Sequence, residues 1–296
     1  MNRQRNELIK RLRSESIETD WGPSPVEIWK SQSSTPWEGD ISNFRRQKIS
    51  SGAINPPDRP KSTLEEPYPD ERLMRRIINT ISLVNFLIRL EVHSLRTSGT
   101  LFRYIPEFGA NKFRKFSIAK NFFSDIGIRM SYYSHKIRKM KLENPVILEI
   151  GAGYGALPYY LSGNYKTYFI VDLVENLILA SEFLSDSKIN FGTISDIANE
   201  DTSVFLLTGG DVQTLQKVDI VINTMSMQHM TNKNLKYYFQ QIDRLSPKVI
   251  YLVNRNIKRD PTDIEIQNYP ITNGYFCSKS NKIYSNNYSE MVFKRI

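Results

Sequence analysis

Apolar positions divide the chain into three textures. Between residues 71 and 141 they recur at helical steps. Leu73, Ile77, Ile81, Val84, Ile88 and Leu95 fall three, four or seven apart, the stripe of an amphipathic helix. Ile118, Phe122, Ile126, Met130, Tyr133 and Ile137 predict a second helix. The stretch 99–112, with Gly99, Pro106 and Gly109, reads as the connection between them. From Pro145 the period changes. Short contiguous apolar runs at 146–150, 168–171, 204–207, 220–223 and 249–253 alternate with helical stretches such as 175–184 and 232–245. Such alternation predicts an α/β fold with a mostly parallel sheet covered by helices on both faces. Residues 269–296 hold several tyrosines, Asn273-Gly274 and a final apolar run, and predict a terminal antiparallel hairpin.

The first 70 residues follow neither pattern. Eight of the 14 prolines lie there, and proline removes a backbone donor and restricts its neighbour, so an irregular arm is expected. Trp21, Trp29 and Trp37 fall in the same stretch, which predicts that the arm packs onto something. The expected organisation is thus an arm at 1–70, a helical cap at 71–141 and an α/β domain at 142–296.

Charge sharpens this division. The net charge of +9 comes from the middle segment, where 15 basic side chains face 4 acidic ones; residues 1–70 balance, and 142–296 carry a small acidic excess. A basic helical segment either faces water or concentrates an anionic partner, such as a nucleotide sugar, an acidic glycan, a nucleic acid or an anionic membrane. The single cysteine, Cys277, excludes a disulfide framework and a cysteine zinc cluster and fits a reducing compartment. The first ten residues are polar, without the apolar core of an export signal, and the apolar run 77–90 is short for a span and interrupted by Asn79, Asn85 and Arg89. A cytoplasmic protein without a membrane span is expected.

The chemistry concentrates in Val146-Ile-Leu-Glu-Ile-Gly-Ala-Gly-Tyr-Gly155. A buried strand enters three glycines at alternate positions, Gly151, Gly153 and Gly155, and a helix follows. Glycines permit the tight turn and let a ligand approach the backbone. At the end of the next strand stands Asp172, placed to accept hydrogen bonds from ribose hydroxyls. The same turn satisfies a dinucleotide pattern, so a nicotinamide cofactor competes with S-adenosylmethionine. Glu149 separates them. A carboxylate before the first glycine suits the ammonium and sulfonium of the methyl donor better than a pyrophosphate. After the third strand, Asp211 can accept from an adenine amino group, with Val212 beside the ring. The fourth strand ends in Asn223-Thr-Met-Ser-Met-Gln-His229, at the crevice where such sheets bind ligands.

At these residues the chain resembles the class I S-adenosylmethionine-dependent methyltransferases over about 145–296. More narrowly it resembles the sugar O-methyltransferases found with bacterial surface-polysaccharide genes. The residues are Leu148-Glu-Ile-Gly-Ala-Gly-Tyr-Gly155, Val171-Asp-Leu-Val-Glu-Asn-Leu-Ile-Leu-Ala180, Asn223-Thr-Met-Ser-Met-Gln, Tyr237-Tyr-Phe-Gln-Gln-Ile-Asp-Arg244 and Tyr251-Leu-Val-Asn-Arg255, with Asn43-Phe-Arg-Arg46 upstream. It departs from the family at Val174, where proline is common, and at His229, where an acid is. The resemblance implies a Rossmann-like methyltransferase core with an N-terminal helical cap. Glu149, Gly151, Gly153 and Gly155 would hold the methionine moiety, Asp172 the ribose and Asp211 the adenine. Tyr154, Leu173, Val212 and Asn223 complete the expected cofactor site.

A sugar hydroxyl is a poor nucleophile while protonated, so a base at the acceptor is expected. His229, following the fourth strand, is the candidate, and Arg129, Tyr132 or Tyr133, on the helix leading into the glycine turn, would reach the acceptor. His93 and His135 read as surface or partly buried residues. No spacing sets metal ligands on one face, which leaves the need for a divalent ion undecided. The acceptor is expected to be an anionic small molecule or glycan. A nucleic acid is disfavoured, since no zinc knuckle or RNA-recognition signature is present. The alternatives are a nucleic-acid methyltransferase that uses the basic helical segment, and a cofactor-binding module without turnover.

Overall fold

The computed structural model describes residues 10, 73–105, 116–118, 121–123, 125–198, 202–258, 264–284 and 286–296. The proline-rich arm, its three tryptophans and the Asn43-Phe-Arg-Arg46 motif lie outside them. The elements are α1 (Leu73–Ser98), β1 (Phe116–Ile118), β2 (Asn121–Phe123), α2 (Asp125–Arg138), β3 (Val146–Ile150), α3 (Leu157–Leu161), β4 (Thr167–Val171), α4 (Val174–Asp186), β5 (Phe191–Thr193), β6 (Val204–Leu207), β7 (Ile220–Thr224), α5 (Asn232–Leu245), β8 (Val249–Arg255), β9 (Tyr275–Ile283) and β10 (Tyr288–Arg295).

Eight strands form one sheet in the order β5-β6-β4-β3-β7-β8-β10-β9. Strands β3 to β8 run parallel, and β10 lies antiparallel between β8 and β9. This is the expected Rossmann-like core, mostly parallel with a terminal antiparallel hairpin. The chain starts at the centre with β3, moves outward through β4, then returns to the other side of β3 at β7. Between the carboxyl ends of β3 and β7 a crevice therefore opens, the place where doubly wound sheets bind ligands.

Alternation of side chains sends the sheet's apolar residues into two layers. Ile147, Tyr168, Ile170, Leu206, Ile222 and Tyr251 pack against α2, α3 and α4 on one face. Leu148, Phe169, Phe205, Val221, Ile250 and Leu252 pack against α5 on the other. Helix α5 begins and ends where its sequence predicts. Thr231 accepts from the Asn234 N–H at 3.2 Å as its N-cap, and Ser246 closes it in the left-handed region at φ 49°. Helix α2 joins this packing, with Ile128, Tyr132, Tyr133 and Ile137 buried in the same layer as the sheet residues.

Three elements differ from the sequence reading. Ile118 and Phe122 do not belong to the second helix. They sit in β1 and β2, paired antiparallel, and α2 starts only at Asp125. Phe116, Ile118, Phe122 and Phe123 are residues that favour strands, and a few apolar positions spaced by four also fit a short hairpin. In α1 the expected stripe faces outward: Ile81 is 61%, Ile88 54% and Leu95 51% exposed, whereas Phe86, Leu87 and Leu90 pack on the core. The helix carries apolar residues on both sides, so periodicity alone does not choose the buried one. The terminal hairpin turns at 284–287, with Tyr284 and Asn286 at φ 52° and 67°, not at Asn273-Gly274, which precedes β9.

Strand β5 has no counterpart in the sequence reading. It is three residues long, and Asp196 accepts from both the Thr193 N–H and hydroxyl at its end. Among the described residues, no helix is long and apolar enough to cross a membrane.

Candidate functional site

Strand β3 delivers Ile150 to the centre of the crevice, and the chain reverses through the three glycines. Gly151, Gly153 and Gly155 have φ of 73°, 62° and 69°, a region that side chains with a Cβ avoid. Each also has a packing reason where its surroundings are described. A Cβ at 155 would come within 3.0 Å of Ala180 and Ile170, so this glycine lets α3 lie close on α4 and β4. A Cβ at 151 would overlap the side chain of Ser226, which follows β7. The glycine turn and the turn after β7 are therefore in direct contact.

Asp172 braces this turn. Its carboxylate accepts from the Gly153 N–H at 2.6 Å, from the Leu173 N–H at 2.7 Å and from the Asn176 amide at 2.7 Å. The residue is half-buried at the head of α4, where a carboxylate also meets the positive end of the helix. Leu173 is the N-cap of that helix. Tyr154 is buried, its ring edge-on to Phe183 at 5.0 Å.

Glu149 differs from the sequence picture. Its carboxylate does not face outward from the turn; it is buried and accepts from the Tyr168 hydroxyl at 2.7 Å. Burial pushes its pKa up, the Tyr168 bond opposes this and nearby Asp172 adds to it, leaving a value of about 7. Two carboxyl groups thus stand near each other at the turn.

The remaining cofactor candidates are structural braces in this state. Asp211 accepts from the Thr208 N–H at 2.6 Å and the Thr208 hydroxyl at 2.8 Å through one oxygen, closing the loop after β6. The Val212 side chain is fully buried in the α5 layer and so is not free to flank a ring. Asn223 is also fully buried: its amide donates to Ile150 O at 2.6 Å, and its oxygen accepts from the Asn254 amide at 2.8 Å and from Met227 N at 3.2 Å. It ties β3, β7 and β8 together beneath the crevice.

Beside the crevice lies a cavity of about 570 Å³, bounded by α1, α2, Met225 and the β9–β10 hairpin. Arg129 forms part of its wall. Its guanidinium lies beside the Phe86 and Tyr284 rings, 5.4 and 5.1 Å from their centres, and donates to the Met225 sulfur at 3.2 Å. Tyr133 is buried behind it and accepts from the Tyr284 hydroxyl at 2.6 Å. Met225 itself is left-handed at φ 63°, and its N–H is fixed to Val253 O at 2.7 Å. His229 does not line this cavity. It ends a 3₁₀ turn, with a ring nitrogen 3.1 Å from the Gln228 amide. His93, read from sequence as a bystander, does line it.

Sequence reasoning also passed over Glu290. Its carboxylate, on β10, is buried and accepts from Tyr132 at 2.9 Å and Tyr251 at 2.7 Å, with Lys136 Nζ at 3.4 Å and His93 Nε2 at 3.5 Å. Burial raises its pKa, but His93, Lys136 and the two hydroxyls outweigh that and hold it below the ordinary carboxylate value. One signal was available. Tyr288, Glu290 and Val292 share a face of the strand, and a lone carboxylate on that apolar face needs a buried partner.

Among the described residues, no group of three or more His, Cys, Asp or Glu side chains is placed to hold a metal ion.

No protein-family model matches the chain, and no curated protein does. Solved structures with a similar fold include the magnesium protoporphyrin IX methyltransferase of Synechocystis PCC 6803 with bound S-adenosylhomocysteine. It is 12% identical, at a TM-score of 0.41 over 59% of this chain and 89% of that one. An S-adenosylmethionine-dependent methyltransferase of Mesorhizobium loti is 10% identical, at a TM-score of 0.40 over 56% of this chain and 98% of that one. The tRNA (uracil-54, C5)-methyltransferase of Pyrococcus abyssi, in complex with S-adenosylhomocysteine, is 16% identical, at a TM-score of 0.39 over 63% and 41%.

Proposed function

We propose that the chain is an S-adenosylmethionine-dependent O-methyltransferase acting on a sugar hydroxyl. One observation carries the reading. Met225, on the wall of the cavity, directly precedes Ser226, whose side chain abuts Gly151. A donor held at the glycine turn and an acceptor held in the cavity would then meet where the parallel strands end.

The residues fit the donor. Three left-handed glycines open the turn to a ligand, and Asp172 stands at the end of β4, its carboxylate held by the Gly153, Leu173 and Asn176 donors. Glu149, beneath the turn and beside Asp172, makes this end of the crevice acidic, which suits the ammonium and sulfonium of S-adenosylmethionine better than a pyrophosphate. S-adenosylmethionine, when bound, supplies a methyl group activated by positive sulfur.

The protein's own share is alignment and proton removal. Holding a hydroxyl in line with the methyl carbon contributes several kcal/mol. A base at that hydroxyl adds about 10²–10⁴-fold. In this reading the base is His93 rather than His229. Its Nε2 faces the Glu290 carboxylate, which favours the tautomer protonated there and leaves Nδ1 to take a proton. Arg129, held beside two aromatic rings and the Met225 sulfur, orients the acceptor.

Calorimetry with S-adenosylmethionine, S-adenosylhomocysteine and NAD tests the donor, with Asp172→Ala as control. Binding of the first two, lost in the variant, is expected. Binding of NAD alone would overturn the reading.

A further inference from the structure

We propose that the cavity between α1, Arg129 and the β9–β10 hairpin binds a sugar that bears an anionic group, a carboxylate or a phosphate. The proposal deepens the function above and rests on it for the acceptor role.

Cationic side chains converge on the cavity from three separate elements: Arg89 from α1, Arg129 from α2 and Lys282 from β9. Among the described residues, no carboxylate lines it. A merely solvated helix face would show charges from one element pointing outward. The nearest acid behind the wall, Glu290, is already engaged by Lys136, Tyr132 and Tyr251, so it does not cancel the field of the lining. The opening therefore favours an anion, and Arg89 in particular offers a planar fork suited to either oxyanion.

The rest of the lining suits a polyol. Asn85, Asn286 and Asn287 each carry both donors and acceptors, which is what hydroxyl groups require. Phe86, Tyr284 and Tyr288 supply apolar faces for a ring. Arg129 is half-buried beside two rings, and Arg89 and Lys282 are exposed. The anion thus belongs at the rim and the reacting hydroxyl deeper, beside Met225. The volume lies within the usual ~300–1,000 Å³ of small-molecule pockets, which argues for one or two sugar units rather than a polynucleotide.

Calorimetry on the full chain at low salt, with glucose, glucuronate and glucose 1-phosphate, tests this. The glucuronate and the phosphate arms distinguish the two sources of charge. At least one anionic sugar should bind tenfold or more tighter than glucose. Arg89→Gln with Lys282→Gln, both at exposed sites, should abolish that preference. Equal binding of neutral and anionic sugars, no binding of either anion at millimolar concentration, or inorganic phosphate binding as tightly as the sugar phosphate would each overturn it. So would a 12-nucleotide single strand that displaces the sugar. S-adenosylhomocysteine binding is measured alongside. Absence of cofactor binding with the anion preference intact would overturn the donor reading alone, and cofactor binding without the anion preference would overturn this one alone.

Discussion

The Tyr132 hydroxyl and the Glu290 carboxylate are joined by a 2.9 Å hydrogen bond across 158 residues of chain. That bond, with those from Tyr251 and Lys136, fastens α2 to the far end of the sheet. Both groups are buried, where a broken partner is costly. Glu290→Ala should therefore cost about 3–5 kcal/mol, because Lys136 is left buried without its counter-charge, held only by the Thr97 and Ser98 hydroxyls. Urea unfolding measures it, and a change under 1 kcal/mol would show the network to be dispensable.

The same carboxylate sets a pH limb. A group held below its ordinary value contributes stability above that value and loses it as the pH falls through the carboxylate range and below. Stability should drop under acid conditions, and Glu290→Gln should flatten the drop.

Glu149 acts with the opposite sign. Its pKa rises from 4.5 to about 7 on folding, so its contribution is complete below 4.5 and is lost as the pH climbs to 7, by roughly 3 kcal/mol. Glu149→Gln should make the unliganded protein more stable at pH 8 while weakening S-adenosylmethionine binding. Binding to the natural chain near pH 7 should also release protons. The signature is a calorimetric enthalpy that changes with the buffer's ionisation heat in the natural chain but not in the variant.

Gly151→Ala tests the contact between the two turns. The new methyl needs a left-handed backbone and overlaps Ser226, which together should cost about 1–3 kcal/mol. Adding Ser226→Gly removes the overlap but not the backbone strain, so recovery should be partial. Full recovery in thermal melts would mean that φ is not a constraint at this position.

For the chemistry, His93→Gln should lower kcat for methyl transfer by 10²–10⁴-fold with little change in S-adenosylhomocysteine binding. His229→Gln should lower it by less than tenfold. If the two effects are reversed, the base lies after β7 and not on α1.

What the sequence revealed is what local pattern encodes. Strands β3, β4, β6, β7 and β8 are contiguous apolar runs because both their faces are buried. The glycines and Asp172 announce the crevice because a backbone turn and a strand end need those residues locally. The missed features are relational. Which side of α1 is buried depends on what Phe86 and Leu90 meet, and nothing within the helix states it. The pairing of His93 and Lys136 with Glu290 spans more than half the chain, so no motif records it. The excess charge of 71–141 is also divided in a way composition hides: Lys136 is turned inward onto Glu290, while Arg89 faces the cavity.

Met225 and Ser226 are consecutive residues, yet one borders the cavity and the other presses on the glycine turn. The peptide between them has little room to yield, since Met225 is held left-handed by Val253 and Ser226 lies beside the Asn223 amide. Two ligands sharing such a pivot do not bind independently. Whatever factor the donor changes in the acceptor's affinity, the acceptor returns to the donor. Steady-state kinetics should accordingly show synergy between the two substrates, in either order of addition, and the size of that synergy is set by a single peptide bond.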